Sequence, residues 1–273
     1  MKGDNYIAQR GLGRVFWSCK NGGFSGYGCQ GRKSLYMRRL RDVYRIARRG
    51  KLWEIARNQI NTFYHNQMDL FTGTVVDAGC GKKVWYTVQL DRCKYVGIDR
   101  SISDLLKNNQ IDARICADVS YLPLRNESAN LIVCQDLIEH LPDPARFIGE
   151  VCRVLVPGGT FMINTPSLYG GVSPLGKLLP RFLSEFIWKV WKKQKMPDYP
   201  FVYKANTKRS LRHLASDNGL VIEKILHINL VPHWFHSFSI LATAIWAYGE
   251  FVGKIRMEFL KSYMIVVLRK DST

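Results

Sequence analysis

The chain has 273 residues, 47% of them hydrophobic, with a formal net charge of +18. That is long for one domain and short for two, and the apolar fraction excludes a chain that is disordered throughout. The charge is unevenly placed: residues 1–70 carry 14 Lys+Arg against 4 Asp+Glu, residues 71–165 carry 10 against 11, and residues 166–273 carry 16 against 7.

A near-neutral middle between two basic flanks predicts attraction to polyanions such as anionic lipid, nucleic acid or a phosphorylated substrate. The seven cysteines form no C-x-x-C pair, so zinc ligation is not expected, and reduced thiols in the cytoplasm fit them best. Met1-Lys2-Gly3-Asp4 lacks the apolar run of a signal peptide.

Residues 1–31 are Gly-rich and aperiodic. Tyr36, Leu40, Val43 and Ala47, then Leu52, Ile55, Ala56, Ile60 and Phe63, recur at helical spacing on either side of Gly50. This predicts a basic N-terminal extension, 1–69, with two amphipathic helices. From Thr74 short apolar runs alternate with helical patterns. Strands are expected at Thr74–Asp77, Tyr95–Asp99, Ala113–Ala117, Asn130–Cys134 and Thr160–Asn164, and helices at Val84–Leu90, Ser103–Asn109 and Pro144–Leu155. Pro157-Gly158-Gly159 reads as a turn. An insertion, 166–206, interrupts the pattern. Helix Thr207–Asn218, strand Leu220–Ile228, an apolar helical segment over 231–256 and strand Tyr263–Leu268 complete a domain spanning 70–273. Alternation of this kind predicts an α/β fold, a Rossmann-like, mostly parallel sheet flanked by helices.

The strongest chemical signal is Val75-Val76-Asp77-Ala78-Gly79-Cys80-Gly81, an apolar strand running into a Gly-x-Gly turn. Glycines there let backbone approach a ligand closely. A dinucleotide site would need a third glycine, and Lys82-Lys83-Val84 stands in its place. Asp99 closes the second strand 22 residues after Asp77, where an acid can accept both ribose hydroxyls. Asp118 follows the third strand, suited to the exocyclic amine of an adenine. Three carboxylates at successive strand ends place a ligand along one edge of the sheet.

On Val75–Gly81, Val96–Asp99, Ala117–Val119, Leu131–Leu141 and Leu155–Thr160 the chain resembles the class I S-adenosylmethionine-dependent methyltransferases of types 11 and 12. The likeness is close over about residues 70–165 and weaker over 211–268. It implies that Asp77, Gly79, Cys80 and Gly81 hold the methionine end of S-adenosylmethionine, with Gln135 adding backbone. It also implies that Asp99 binds the ribose, and that Asp118 and Val119 surround the adenine. Lys83 departs from the family's pattern. Asp136-x-x-Glu139-His140 resembles the E-x-x-E-H element of ubiquinone-pathway O-methyltransferases, with its first position changed, and no metal is expected.

Methyl transfer to a hydroxyl is helped by a base, and His140, after the fourth strand, is the candidate. The run Leu178–Lys193 is apolar, aromatic and basic together and suits an anionic membrane surface or an amphipathic acceptor. Phe238–Tyr248 is too short an apolar run to span a bilayer. The expected reaction is O-methylation of a small hydroxyl acceptor: a sugar, a lipid-linked glycan or a quinol. The alternatives are an RNA methyltransferase, disfavoured because Cys134-Gln135-Asp136-Leu137 lacks the Asn/Asp-Pro-Pro-Tyr/Phe turn, and a non-catalytic cofactor-binding scaffold. The expected setting is cytoplasmic, peripheral on a membrane. Oligomeric state is not legible.

Overall fold

The computed structural model describes residues 40–49, 51–68, 71–84, 92–170, 201–231 and 239–272. Contacts divide the chain into residues 1–42 and 43–273. Of the first unit only residues 40–42 are described, all helical; the second unit contains the sheet.

The elements of the second unit, in chain order, are helix α1 (Leu52–Met68), β1 (Gly73–Ala78), β2 (Cys93–Asp99), a one-turn helix α2 (Ile102–Leu105), β3 (Ala113–Cys116) and β4 (Ala129–Gln135). They continue with α3 (Pro144–Val154), β5 (Leu155–Pro166), α4 (Lys208–Ser216), β6 (Leu220–Ile228), α5 (Ser239–Lys254) and β7 (Tyr263–Lys270). Residues 43–48 are also helical. The strands form one sheet in the order β3-β2-β1-β4-β5-β7-β6. All neighbours are parallel except β7, which runs antiparallel to both β5 and β6.

Period-two alternation sorts each strand's side chains between two cores. In β4, Ile132 and Cys134 join one cluster, while Leu131 and Val133 join the other. In β7, Met264, Val266 and Leu268 face the first, and Tyr263, Ile265 and Val267 the second. The first face is covered by Phe147, Ile148, Val151 and Val154 of α3 and by Leu211 and Ala215 of α4. The second is covered by Ala56, Phe63, Tyr64 and Met68 of α1. Each fully buried Val, Ile, Leu or Phe among them contributes about 1.5–3 kcal/mol. A third, smaller cluster joins Val43, Ala47 and Leu52 to Val231, Ala242 and Trp246.

Helix starts follow local chemistry. Asp143 accepts from Arg146 N at 3.1 Å with Pro144 in the first turn of α3, and Thr207 and Ser210 form a reciprocal capping box on α4.

The five early strands lie where the sequence puts them, and β6 has the expected bounds, Leu220–Ile228. Two expectations need correction. The helix expected over Ser103–Asn109 is only Ile102–Leu105, because Asn108 turns its side chain inward to the Gly79–Gly81 turn. Pro157-Gly158-Gly159, expected as a turn ahead of the strand at Thr160, lies inside β5, where Gly158 adopts φ +72° and the register to β4 shifts between Ala129 and Leu131. The helix expected at Val84–Leu90, the run Leu178–Lys193 and most of the insertion lie outside the described residues.

Candidate functional site at the C-terminal edge of the sheet

Strand order reverses on either side of β1, so connections leave β1 and β4 in opposite directions and a crevice opens above their carboxyl ends. The Gly79–Gly81 turn sits there. Gly79 N and Cys80 N both donate to Ile98 O of the neighbouring β2, at 2.7 and 3.2 Å. Gly81 N donates to Asp99 Oδ2 at 2.9 Å, and Ser101 N donates to Asp99 Oδ1 at 2.8 Å. The carboxylate of Asp99 is thus aimed at the turn by two backbone donors.

Both glycines occupy the left-handed region, Gly79 at φ +81° and Gly81 at φ +53°, for different reasons. A Cβ on Gly79 would lie 2.8 Å from Leu137 Cδ2, whereas a Cβ on Gly81 would meet nothing within 4 Å among the described residues. Gly79 is packed, and Gly81 borders open space that a ligand can fill. This cradle, with its carboxylates, fits the amino-acid and ribose parts of S-adenosylmethionine.

The remaining expected residues fall around it. Asp77 is 3% exposed and accepts from Tyr95 Oη at 3.1 Å. Burial, reinforced by the Asp77 and Asp99 charges, pushes the Cys80 thiol far up, so it is an inert wall. Asp118, just beyond β3, accepts from Ser120 N at 2.9 Å, and its Oδ2 stands 3.8 Å from Arg100 Nη1. The Ser120 backbone bond, then Arg100 and Arg146, hold its carboxyl below the usual range. Val119 is buried in the first core. Gln135 ends β4 in register with Asn164 of β5. The Gly turn and Asp99 are therefore joined directly, and Asp118 shares their edge through Arg100. His140 instead packs on Phe201, ring centroids 4.5 Å apart, at the end of a 3-10 turn, Ile138–His140.

Two further groups join the site, Asn108, which the sequence did not single out, and the two acids of the Asp136-x-x-Glu139 motif, which were not expected to bind the cofactor. Asn108, fully buried, donates from Nδ2 to Gly81 O at 3.2 Å and accepts from Gln110 N. It locks the turn from below. The second is a buried acid network at the end of β4. Glu139, 1% exposed, accepts from Thr165 Oγ1 at 2.9 Å, and Thr165 Oγ1 accepts from Asn206 Nδ2 at 2.6 Å. Asp136, at φ +47°, accepts from Tyr263 Oη at 2.5 Å. Desolvation first, and the Asp136 charge second, push Glu139 up to about 8. Asp136 is exposed as a residue, with its carboxyl turned onto the Tyr263 phenol; desolvation there raises it to about 6, the Tyr263 hydrogen bond opposing the rise. Among the described residues no three His, Cys, Asp or Glu side chains are grouped to hold a metal ion.

Residues 76–163 match the profile of a methyltransferase domain. A probable S-adenosylmethionine-dependent methyltransferase of Mycolicibacterium smegmatis is 34% identical over 98 residues, 34% of this chain and 38% of that protein. A ubiquinone biosynthesis O-methyltransferase of Coxiella burnetii is 29% identical over 111 residues, 38% of this chain and 47% of that protein. The chain thus matches less than half the length of these relatives. The geranyl diphosphate C-methyltransferase of Streptomyces coelicolor A3(2), solved with geranyl diphosphate and S-adenosyl-L-homocysteine, superposes with a TM-score of 0.53 at 14% identity, over 78% of this chain and 79% of that one. At that identity the likeness is one of fold.

Proposed function

We propose that this chain, which belongs to the class I S-adenosylmethionine-dependent methyltransferases through residues 76–163, transfers the cofactor's methyl group to an oxygen of a small hydroxyl acceptor. The observation that carries the reading is the Asp99 carboxylate held 2.9 Å from Gly81 N beside an open, left-handed glycine. Gly79–Gly81 and Gln135 would hold the methionine end, Asp99 the ribose, and Asp118 with Val119 the adenine. When bound, the sulfonium supplies an electrophilic methyl group.

The chain's own contribution is alignment of the nucleophile and exclusion of water. His140 serves as the base that takes the hydroxyl proton, in a position where the ring is braced by Phe201. The likeness to ubiquinone biosynthesis O-methyltransferases supports oxygen as the acceptor atom, with a sugar, a lipid-linked glycan or a quinol as its bearer.

The setting is the cytoplasmic face of a membrane, held peripherally. Along α5, Ile240, Leu241, Tyr248 and Phe251 are exposed, Ile240 by 77%, an apolar face that suits an interfacial helix. Among the described residues no helix is long and apolar enough to cross a membrane.

The test is incubation of membrane and soluble extracts with the protein and isotopically labelled S-adenosylmethionine, with products identified by mass spectrometry. A labelled methyl ether supports the reading. A methylated nucleobase, or binding of cofactor with no labelled product, refutes it. Given an acceptor, His140→Ala should slow transfer about 10²–10⁴-fold with cofactor affinity retained; wild-type turnover across pH 5–9 would remove His140 from the reaction.

A further inference from the structure

The same edge of the sheet carries a second concavity, beyond β4 on the side away from the Gly79–Gly81 turn. It is a groove of about 1210 Å³. One wall is the first turns of α4, and the floor includes Met264 of β7 and His227 of β6. Ser167 and Tyr169, directly after β5, and Pro142 to Ala145, which follow β4 in the chain, complete the lining.

Lys204, Lys208, Arg209 and Arg212 all line this groove, with Asp143 the one carboxylate among the described lining residues. Asp143 is engaged in capping α3. Lys204 Nζ donates to Pro142 O at 2.7 Å, and neither Lys208, Arg209 nor Arg212 has a carboxylate partner among the described residues. His213, on the same helix, is already paired with Asp217 at 2.8 Å.

Helix physics disfavours this arrangement. The first turn of a helix carries partial positive charge and favours acids, yet α4 begins with Lys208 and Arg209 and has no acid in its first turn. Lys208 and Arg212 stand one turn apart, a like-charge pair that is itself destabilising. His227 also lines the groove, its Nδ1 shielded from solvent and without a hydrogen-bond partner among the described residues. Desolvation, opposed by Glu258, keeps the imidazole below its usual range, with Lys208 among the charges that lower it further. A bound anion would relieve both helix conditions, the acid-free first turn and the repulsion between its cations. The lining also has an apolar part, Tyr169 and Phe259 in edge-to-face contact at 6.2 Å. The groove therefore suits a molecule with one anionic and one apolar part.

We infer that this groove is the acceptor's anion subsite, and that the acceptor bears a phosphate or diphosphate group which Lys208, Arg209 and Arg212 receive. The inference rests on the methyl-transfer reading, which it deepens by restricting the acceptor class.

The test uses the full chain with inorganic pyrophosphate as probe, read by calorimetry, beside S-adenosylhomocysteine binding and sedimentation with phosphatidylglycerol vesicles. The expected result is saturable pyrophosphate binding that weakens at least tenfold in Arg209→Ala/Arg212→Ala. Both side chains are exposed, so the fold is retained. Affinity for S-adenosylhomocysteine should be unchanged in this variant. Lys107→Ala/Arg125→Ala, an equal loss of charge elsewhere on the surface, should leave pyrophosphate binding as in wild type. Equal weakening in both double variants would reduce the effect to net charge and overturn the inference. So would unchanged pyrophosphate affinity in Arg209→Ala/Arg212→Ala accompanied by lost vesicle retention, which would make the groove a membrane contact. Failure of S-adenosylhomocysteine to bind the wild-type chain would instead strike at the methyl-transfer reading.

Discussion

The phenol of Tyr263, the first residue of β7, donates a 2.5 Å hydrogen bond to the carboxylate of Asp136, the residue after β4, across 127 positions of sequence. It ties the acid at the end of β4 to the antiparallel strand that lies between β5 and β6. Tyr263→Phe keeps the ring and removes the donor. A hydrogen bond to a charged group contributes about 1.5–3 kcal/mol, more than one to a neutral group. The variant should therefore lose stability in that range at pH 8 and less at pH 5, where Asp136 is protonated. Urea denaturation at the two pH values checks this, and an equal loss at both would place the bond outside the titration of Asp136.

Glu139 makes stability depend on pH in the opposite sense to an ordinary salt-bridged acid. Its folded pKa, about 8, lies above its ordinary value of 4.5. Between these values the folded state binds more protons than the unfolded state. The stabilisation is thus fully present below about pH 4.5 and is lost as pH rises through about 8. Glu139→Gln retains the shape and a hydrogen-bonding group for Thr165 without the charge. Its denaturation midpoint should decline less from pH 5 to 8 than that of the wild type, and the part lost should be the part above about pH 6, where Asp136 no longer titrates. A wild type as stable at pH 8 as at pH 5 would refute the assignment.

The two glycines of the turn should separate folding from binding. Gly79→Ala places a methyl 2.8 Å from Leu137 Cδ2 at φ +81° and should cost about 1–3 kcal/mol of stability. Gly81→Ala meets no atom within 4 Å among the described residues. It should cost about 1 kcal/mol for its backbone conformation alone, yet weaken S-adenosylhomocysteine binding more than Gly79→Ala does in its folded fraction. Thermal melts and calorimetry on both variants give the comparison, and the reverse ranking would move the cofactor away from Gly81.

Asp99→Ala should reduce cofactor affinity at least tenfold by removing two charge-assisted hydrogen bonds, each worth roughly 1.5–3 kcal/mol. Because Asp99 also receives Gly81 N and Ser101 N, the apo variant should melt at a lower temperature as well. Calorimetry that finds undiminished binding would sink the site assignment.

The apolar face of α5 yields a test of membrane association. Ile240→Glu with Phe251→Glu, both more than half exposed, should leave the melting temperature unchanged and abolish co-sedimentation with vesicles. Retained co-sedimentation would exclude this face as the contact.

Local signals carry much of the fold. Val75-Val76 before a Gly-x-Gly turn, and the β-branched runs of β2, β4 and β7, are legible because a strand buried on both faces must be continuously apolar. The Asp99–Gly81 contact is legible for a similar reason, since both ends sit at strand termini whose parallel order the alternation implies. The features that stay hidden in the sequence are long-range or irregular. Tyr263 reads as one more apolar strand residue until β7 brings it to Asp136. Asn108 lies in a run, Leu106–Gln110, whose spacing suits a helix, and only the carbonyl of Gly81 explains why the helix stops short. The cations of α4 carry a clear charge signal, but the groove they line is assembled from five separate segments.

The position of β7 between β5 and β6 also bears on how the protein is made. In the sheet β6 pairs with β7, and β7 begins only after α5 and the turn Glu258–Leu260 have been translated. A nascent chain that has reached Ile228 therefore presents two open strand edges, those of β5 and β6, with neither able to satisfy the other across the gap that β7 will fill. Such edges template intermolecular pairing. The interval between synthesis of β6 and emergence of β7 from the ribosome is thus the chain's period of greatest exposure to aggregation, and slowing translation across residues 229–262 should lower the soluble yield.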